Sequence, residues 1–251
     1  MQENVLHDDL MQLSPTMPLK TFIAILAASA AGAAAAILLL PIVLPGLDAS
    51  LVGSSPQVFW FLSRSSALVA YVLLWSSMSL GLLITNKLAR LWPGGPLAFD
   101  LHQHTSLLGV AFALFHALVL LGDRYLNTTL WRTALPFAMQ EYRPGWVGLG
   151  QLSFYLMALV AFSFYIRRQI TPRLWRLIHY VSFLTFLMAL LHAIASGTDT
   201  QAPWAYYLYS ITAALFLFFL IYRLIVSVFK PRPAARPSTT AGSLPIIKRT
   251  P

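Results

Sequence analysis

Long apolar runs dominate the chain, and short polar segments separate them. Six runs reach the length of about 20 residues that a helix needs to cross a bilayer. Backbone polar groups in lipid must be satisfied within the segment, and the runs lack the alternation of barrel strands, so we expect helices. The runs are Thr21–Leu44, Val58–Thr85, Leu101–Leu121, Trp146–Ile166, Leu174–Ser196 and Trp204–Phe229. The prediction is an all-α membrane protein whose six transmembrane helices form a bundle.

The composition supports a membrane protein and excludes several other classes. Of the 251 residues, 58% are hydrophobic and 10% are charged, whereas soluble domains carry about a quarter charged residues. We therefore exclude an ordinary cytosolic enzyme, a disordered chain and, despite the net charge of +9, a nucleic-acid partner. The absence of cysteine excludes disulfides, thiolate metal sites and covalently attached haem c. Any metal or cofactor must be held by histidines, carboxylates or thioethers.

The domain prediction has three parts: residues 1–20 form a polar N-terminal segment, residues 21–229 the helical domain and residues 230–251 a disordered basic tail. The first run contains an alanine-rich stretch that resembles a signal-peptide cleavage region. Three acidic residues and the single Lys20 precede it, however, which is a poor signal-peptide start. We therefore expect a membrane helix there.

The distribution of basic residues predicts the orientation. They cluster after the second, fourth and sixth runs, at Lys87, Arg90, Arg167, Arg168, Arg173, Arg176, Lys230, Arg232, Arg236, Lys248 and Arg249. The loops after the first and fifth runs have none, and the loop after the third offsets its basic residues with Asp123 and Glu141. The positive-inside rule then predicts a multi-pass protein of the cell membrane, with lipid around it and both termini in the cytoplasm.

Two features outside the histidine-bearing runs are expected at the outer membrane surface. The segment Asn127–Pro144 is mildly amphipathic, which favours a short interfacial helix. An aromatic belt is expected from Trp60, Trp204, Tyr206, Tyr207 and Tyr209.

Five of the six histidines lie in two of the apolar runs. The third run holds His102, His104 and His116, and the fifth holds His179 and His192. His102 and His116 are 14 residues apart, so they share nearly one helix face and lie about 21 Å apart along the axis. Both runs cross in the same direction, which pairs His102 with His179 at one depth and His116 with His192 at another.

Two facing imidazoles inside a bundle are what a bis-histidyl haem b requires, and two depths predict two haems. Zinc needs further ligands at each level, and a proton relay needs carboxylates at membrane depth; the runs supply neither. The competing explanation is that the histidines are hydrogen-bonded helix contacts.

Spans 2 to 6 resemble the ferric reductase-like transmembrane domain, the haem-bearing core of ferric reductases and NADPH oxidases. The resemblance rests on LSRSSALVAYVLL (Leu62–Leu74), LHQHTSLLGVAFALFHALVLL (Leu101–Leu121) and RLWRLIHYVSFLTFLMALLHA (Arg173–Ala193). That family spaces its ligands 14 and 13 residues apart on these two helices. The resemblance implies that His102 and His179 bind an inner haem b, and His116 and His192 an outer one.

Three details are left open by the sequence. His104 rivals His102 as the inner ligand, although it is about 120° away from the face of His116. The 13-residue spacing of His179 and His192 puts them about 140° apart, so that helix must be irregular or the haems differently rotated. Arg64 lies inside the second run, where a propionate of the outer haem or the outer headgroups would neutralise it.

The function implied is transmembrane transfer of single electrons, as in the haem subunit of an oxidoreductase. No glycine-rich nucleotide motif is present, so FAD and NAD(P) are not expected in this chain and electrons must come from a separate flavoprotein or a quinol. One alternative is a quinol-linked subunit like the membrane partner of periplasmic methionine sulfoxide reductase. Another is a haem-free membrane scaffold or transporter. The terminal acceptor is open: ferric chelates, oxygen, a periplasmic protein and a quinone all fit.

Overall fold

The described residues fold as a set of helices. The structure is a computed structural model, and it describes residues 15–43, 58–123 and 126–229. Within those ranges it has seven α-helices and no strand, and six of the helices are long and apolar enough to span a membrane. The helices are α1 Leu19–Val43, α2 Val58–Thr85, α3 Gly95–Val119, α4 Leu130–Ala134, α5 Pro144–Ile166, α6 Pro172–Ser196 and α7 Pro203–Val228. The prediction of an all-helical multi-pass membrane protein is confirmed.

The helix boundaries follow proline as much as hydrophobicity. Helices α3, α5, α6 and α7 each have a proline in the first turn, where its missing N–H costs no hydrogen bond. Helix α3 begins at Gly95, six residues before the apolar run at Leu101, because the helix continues through the polar turn around Asp100. The second run coincides with α2, and the remaining described boundaries differ from the prediction by at most two residues.

One surface prediction stays a prediction, and one is corrected. The segment Asn127–Pro144 contains the short helix α4, on which Leu130 and Trp131 are exposed, and its location at the outer membrane surface stays a prediction. Tyr209 does not belong to an aromatic belt: it is buried against Tyr71, with the two ring centres 5.2 Å apart. Tyr206 and Tyr207, three and two residues earlier, are exposed as expected.

Four of the long helices form the bundle that carries the histidines. Helix α3 contacts α2 and α5, and α6 contacts the same two helices. Helices α3 and α6 therefore occupy opposite corners, and their histidines face each other across the bundle. Helix α1 lies against α3, and α7 lies against α2 and α6.

Helices α2 and α3 approach closely through small side chains. A Cβ atom at Gly109 would lie only 3.8 Å from the backbone nitrogen of Leu74 and 3.9 Å from the carbonyl oxygen of Ala70. Seven residues to either side of this contact, Ser63 and Ser77 of α2 meet histidines of α3. Small residues allow membrane helices to approach this closely. The contacts between α2 and α3 recur at intervals of seven residues along both helices.

The first apolar run is part of the folded bundle. Ser29 of α1 donates a hydrogen bond to the carbonyl of Ala111 in α3, at 2.6 Å. Phe22 is fully buried and packs beside Tyr165 of α5. The sequence-based descriptions of residues 1–14, which include His7, and of the tail 230–251 lie outside the described residues.

The two ends of the bundle differ in charge. One end, called the basic end below, carries Lys20, Lys87, Arg90, Arg167, Arg168, Arg173, Arg176 and Arg223 with a single acid, Asp100, among the described residues. The opposite, distal end carries three described basic residues, Arg64, Arg132 and Arg143, and three acids, Asp123, Glu141 and Asp199. The orientation expected from the positive-inside rule, with the basic end in the cytoplasm, stays a prediction.

Cysteine labelling tests that orientation, since the natural chain has no cysteine to interfere. Leu91 at the basic end and Trp131 at the distal end are 86% and 68% exposed. In intact cells, a membrane-impermeant maleimide should label Trp131→Cys and leave Leu91→Cys unlabelled until the membrane is permeabilised. The reverse pattern would contradict the orientation.

Candidate functional site

The structure brings four of the sequence-predicted residues together as two pairs. The ring centres of His102 and His179 are 6.1 Å apart, and those of His116 and His192 are 6.2 Å apart. The ring planes cross at 69° in both pairs. The pairing predicted from spacing is therefore the pairing in the fold, with His102 and His179 nearer the basic end.

The separation of the rings distinguishes between two roles. Imidazoles joined by a direct N–H···N bond of about 2.9 Å would have ring centres about 5.2 Å apart. Imidazoles that bind one metal ion from opposite sides, with bonds of about 2.0–2.1 Å, would have centres about 6.3 Å apart. The observed 6.1 and 6.2 Å exceed the first distance and are close to the second. The geometry disfavours a direct hydrogen bond between the two histidines of a pair.

Three of the four imidazoles are oriented by main-chain carbonyls of a neighbouring helix. The Nδ1 atoms of His102 and His116 lie 2.9 Å from the carbonyl oxygens of Ser77 and Ser63 in α2. The Nδ1 of His192 lies 2.8 Å from the carbonyl oxygen of Trp146 in α5. An Nδ1–H that donates to a carbonyl leaves Nε2 unprotonated, which is the state that a metal ligand needs.

The two serines add a second contact to the same rings. The hydroxyls of Ser63 and Ser77 lie 2.8 and 3.1 Å from the Nδ1 atoms of His116 and His102. Ser63 Oγ also lies 3.0 Å from the carbonyl oxygen of His116. Sequence reasoning missed both serines, although their spacing of 14 residues equals that of the α3 histidines and was a usable signal.

Two glycines make room for the rings. A Cβ atom at Gly150 of α5 would lie 2.5 Å from Nδ1 of His192, a distance that no real Cβ tolerates. A Cβ atom at Gly81 of α2 would lie 3.3 Å from Cε1 of His102, which is a tight contact. The glycines therefore allow each ring to lie against a neighbouring helix.

His179 is supported differently from the other three. It has no hydrogen-bond partner anywhere in the part of the chain that the structure describes. Its ring stacks instead on the indole of Trp175, one turn earlier in α6, with the ring centres 5.2 Å apart and the planes inclined by 24°.

His104 is not part of either pair. It is exposed, and its Nδ1 lies 2.8 Å from the carbonyl oxygen of Asp100 in its own helix. The structure thus directs His102, and not His104, toward His179.

The 13-residue spacing on α6 does not require an irregular helix. Helix α6 runs continuously from Pro172 to Ser196. His192 lies against α5, at Trp146, whereas His179 stacks on Trp175 of its own helix. The two rings are thus turned toward different neighbours on an uninterrupted helix, and differently rotated haems stay a prediction.

Arg64 has a partner that the sequence did not reveal. Its guanidinium makes a two-point ion pair with Asp199, in which Nε lies 2.9 Å from Oδ2 and Nη2 contacts Oδ1. The side chains are 28% and 26% exposed. Asp199 is 135 residues away in the loop after α6, so only the fold brings it here. The carboxylate neutralises Arg64 by itself, and a contact between Arg64 and a propionate stays a prediction.

Each pair offers two nitrogen ligands and no more. Across residues 15–43, 58–123 and 126–229, no three histidine, aspartate or glutamate side chains converge as a metal-binding group. Structural and catalytic zinc sites need at least three protein ligands, whereas a haem iron, whose porphyrin fills four positions, needs two axial ones.

A family model described as a domain of unknown function (DUF8596) matches residues 58–199. The matched region holds α2 to α6, and with them both histidine pairs and the ion pair of Arg64 and Asp199. No curated protein and no solved structure matches the chain.

The tight fit at Gly150 gives the first prediction for the site. Gly150→Ala should push the His192 ring away from the Trp146 carbonyl and reduce the expected haem content from two to one per chain. Gly145→Ala is the matched control, because a Cβ there would meet nothing within 4 Å. Pyridine haemochrome assays of the purified variants measure the difference. Equal haem content in both variants would show that Gly150 does not position His192.

Proposed function

We propose that this chain, which belongs to the DUF8596 domain family, transfers single electrons across a membrane through two haem b groups. His102 and His179 would hold one haem, and His116 and His192 the other. The proposal makes the chain a haem subunit similar to the ferric reductase-like transmembrane domain. One observation carries it: two imidazole pairs at two depths, with ring separations of 6.1 and 6.2 Å.

The donor set supports a haem in three ways. The ring separations suit a shared metal ion and are too long for a direct hydrogen bond. Carbonyl acceptors hold three rings in the tautomer that leaves Nε2 free. The rings lie inside the bundle yet are only half-buried. These features fit axial ligands better than packed helix contacts.

A bound haem supplies a centre that gains or loses one electron. If each histidine pair holds one haem, neither iron would keep a position for oxygen or another ligand. The chemistry supported by these residues is outer-sphere electron transfer, not activation of a bound substrate.

The residues between the two depths form a dry core. Phe186 is fully buried on α6 between His179 and His192, and its ring centre lies 6.1 Å from that of Tyr71 and 4.7 Å from that of Phe216. The side chains of α2, α6 and α7 meet there and exclude water. This packing holds α2 and α6 at the spacing that the pairs require.

The electron donor in this proposal is a separate flavoprotein that docks at the basic end. Eight basic residues and one acid surround that end among the described residues, which favours an acidic partner by electrostatic complementarity. His102 and His179 lie nearer this end, so they would receive the electron first. Electrons would leave from His116 and His192 toward an acceptor on the other side.

Single histidine variants test the two haems. The purified wild-type chain should contain two haems b, and His102→Ala or His179→Ala should each remove one. His116→Ala or His192→Ala should each remove the other, because a haem that loses one axial ligand is released. Haemochrome stoichiometry and difference spectra report the result. His104→Ala is the control and should keep both haems, since His104 is exposed. A wild-type chain without haem would refute the proposal.

A second test concerns the donor. The haem-loaded chain should stay oxidised when NADPH or NADH is added alone and become reduced when a flavoprotein reductase is added. In His102→Ala, rapid-mixing spectra should then show the remaining haem reduced slowly or not at all, because the first carrier is missing. Reduction of that haem by a quinol at the wild-type rate would favour the quinol-linked alternative. Reduction by nucleotide alone would contradict both.

A further inference from the structure

We infer that Trp175 and Arg176 form a carboxylate-binding site at the basic end, and that its ligand is the pair of propionates of the haem on His102 and His179. The indole Nε1–H of Trp175 donates a hydrogen bond to one propionate, and the guanidinium of Arg176 pairs with the other. This inference rests on the proposed function, because it concerns a haem that the function requires. Three observations lead to it: an unpartnered donor, an unpaired cation and an apolar interior on the opposite side.

The first observation is a buried hydrogen-bond donor without an acceptor. The Trp175 Nε1 atom is buried and has no hydrogen-bond partner among the described residues. An indole nitrogen donates one hydrogen bond and accepts none, so it needs an acceptor atom. Leaving such a buried group unpaired is unfavourable. The position of Trp175 therefore suits a ligand that brings an acceptor oxygen.

The location of that donor points to a haem. The Trp175 ring stacks on the His179 ring, with the ring centres 5.2 Å apart and the planes inclined by 24°. A porphyrin bound to His179 extends sideways from the iron, over the residues that flank the imidazole. The Trp175 indole is therefore within reach of the porphyrin periphery, where the propionates are attached.

The second observation is a half-buried cation on the other flank of the same imidazole. Trp175 and Arg176 precede His179 by four and three residues, which puts them about 40° to one side of it and about 60° to the other. Arg176 has no hydrogen bond or ion pair with the described residues. Hydrogen bonds from a guanidinium to a carboxylate are among the strong ones in proteins. One turn nearer the basic end than His179, two donors therefore lie side by side.

The third observation is the apolar packing on the opposite side of this histidine pair. In that direction Phe186 is fully buried among side chains of α2, α6 and α7. A carboxylate placed there would lose its hydration and gain no charged partner. The basic residues of α6 lie in the other direction. The propionates of a haem on His102 and His179 are therefore directed toward the basic end, where Trp175 and Arg176 lie.

Haem release from the full chain tests the inference. His116→Ala is the parent, because it should retain only the haem at the basic end. Added to that parent, Trp175→Phe keeps a ring beside His179 and removes the donor. Release to an excess of apomyoglobin should become about 10- to 150-fold faster, the range expected for one hydrogen bond to a charged group.

Two control variants match the two substitutions. The Trp75 Nε1 is also buried and unpartnered, but Trp75 lies about 160° around α2 from Ser77, the residue that contacts His102. Trp75→Phe should therefore release haem at the parent rate. Arg176→Gln should also accelerate release, whereas Arg173→Gln, the same loss of charge at an exposed position, should not.

Reconstitution with haem dimethyl ester identifies the acceptor. The ester lacks both carboxylate charges and binds a donor more weakly, so the difference between Trp175→Phe and its parent should become clearly smaller. Arg176→Gln makes the same comparison if Trp175→Phe retains no haem.

Three outcomes separate the inference from the proposed function. Equal acceleration with haem and with the ester would overturn the inference, because the residues would then act through packing alone. Unchanged release of haem would overturn it as well, since the acceptor would then lie elsewhere, as in a lipid phosphate. Both results leave the two-haem proposal standing. A wild-type chain without haem would refute the proposed function itself.

Discussion

The bonds from histidine Nδ1–H to main-chain carbonyls are the interaction on which this bundle depends. An unpaired imidazole N–H inside a membrane costs several kcal/mol, on the order of 2–7, and three of the four paired histidines avoid that cost by donating to a carbonyl. A helix carbonyl has a second lone pair that can accept this bond. Helix α2 supplies such carbonyls at Ser63 and Ser77, and α5 supplies one at Trp146. The bond fixes the ring and leaves Nε2 unprotonated, which is the state that a metal ligand needs.

A histidine ring can reach a carbonyl of the neighbouring helix only if the two helices pack closely. Small residues on α2 and α3 allow that packing. Three contacts join α3 to α2 at intervals of seven residues on each helix. They are His116 with Ser63, Gly109 with Ala70, and His102 with Ser77. Two turns of helix are about seven residues, so the same two faces meet at each step. A large side chain at the middle contact would separate the helices and move both carbonyls away from the rings.

Residues close in sequence made most of the fold predictable, and long-range contacts account for what was missed. Spacing within one helix fixed the depths of the histidines, so the pairs followed once the helices were known to run in parallel. The contact between Arg64 and Asp199 was not predictable, because it joins residues 135 positions apart through a loop. The burial of Tyr209 and the role of Gly150 likewise depend on which neighbour each helix face meets. A single sequence gives no such information.

The spacings of 14 and 13 residues explain why the two histidine pairs have different numbers of carbonyl bonds. On α3, His102 and His116 are about 40° apart around the helix, so both reach the same neighbour, α2. On α6, His179 and His192 are about 140° apart, so they cannot both lean on one neighbour. His192 reaches the Trp146 carbonyl of α5, while His179 faces a region where Trp175 fills the space without offering an acceptor. The one-residue difference in spacing, together with the position of Trp175, thus gives the distal pair two carbonyl bonds and the other pair one.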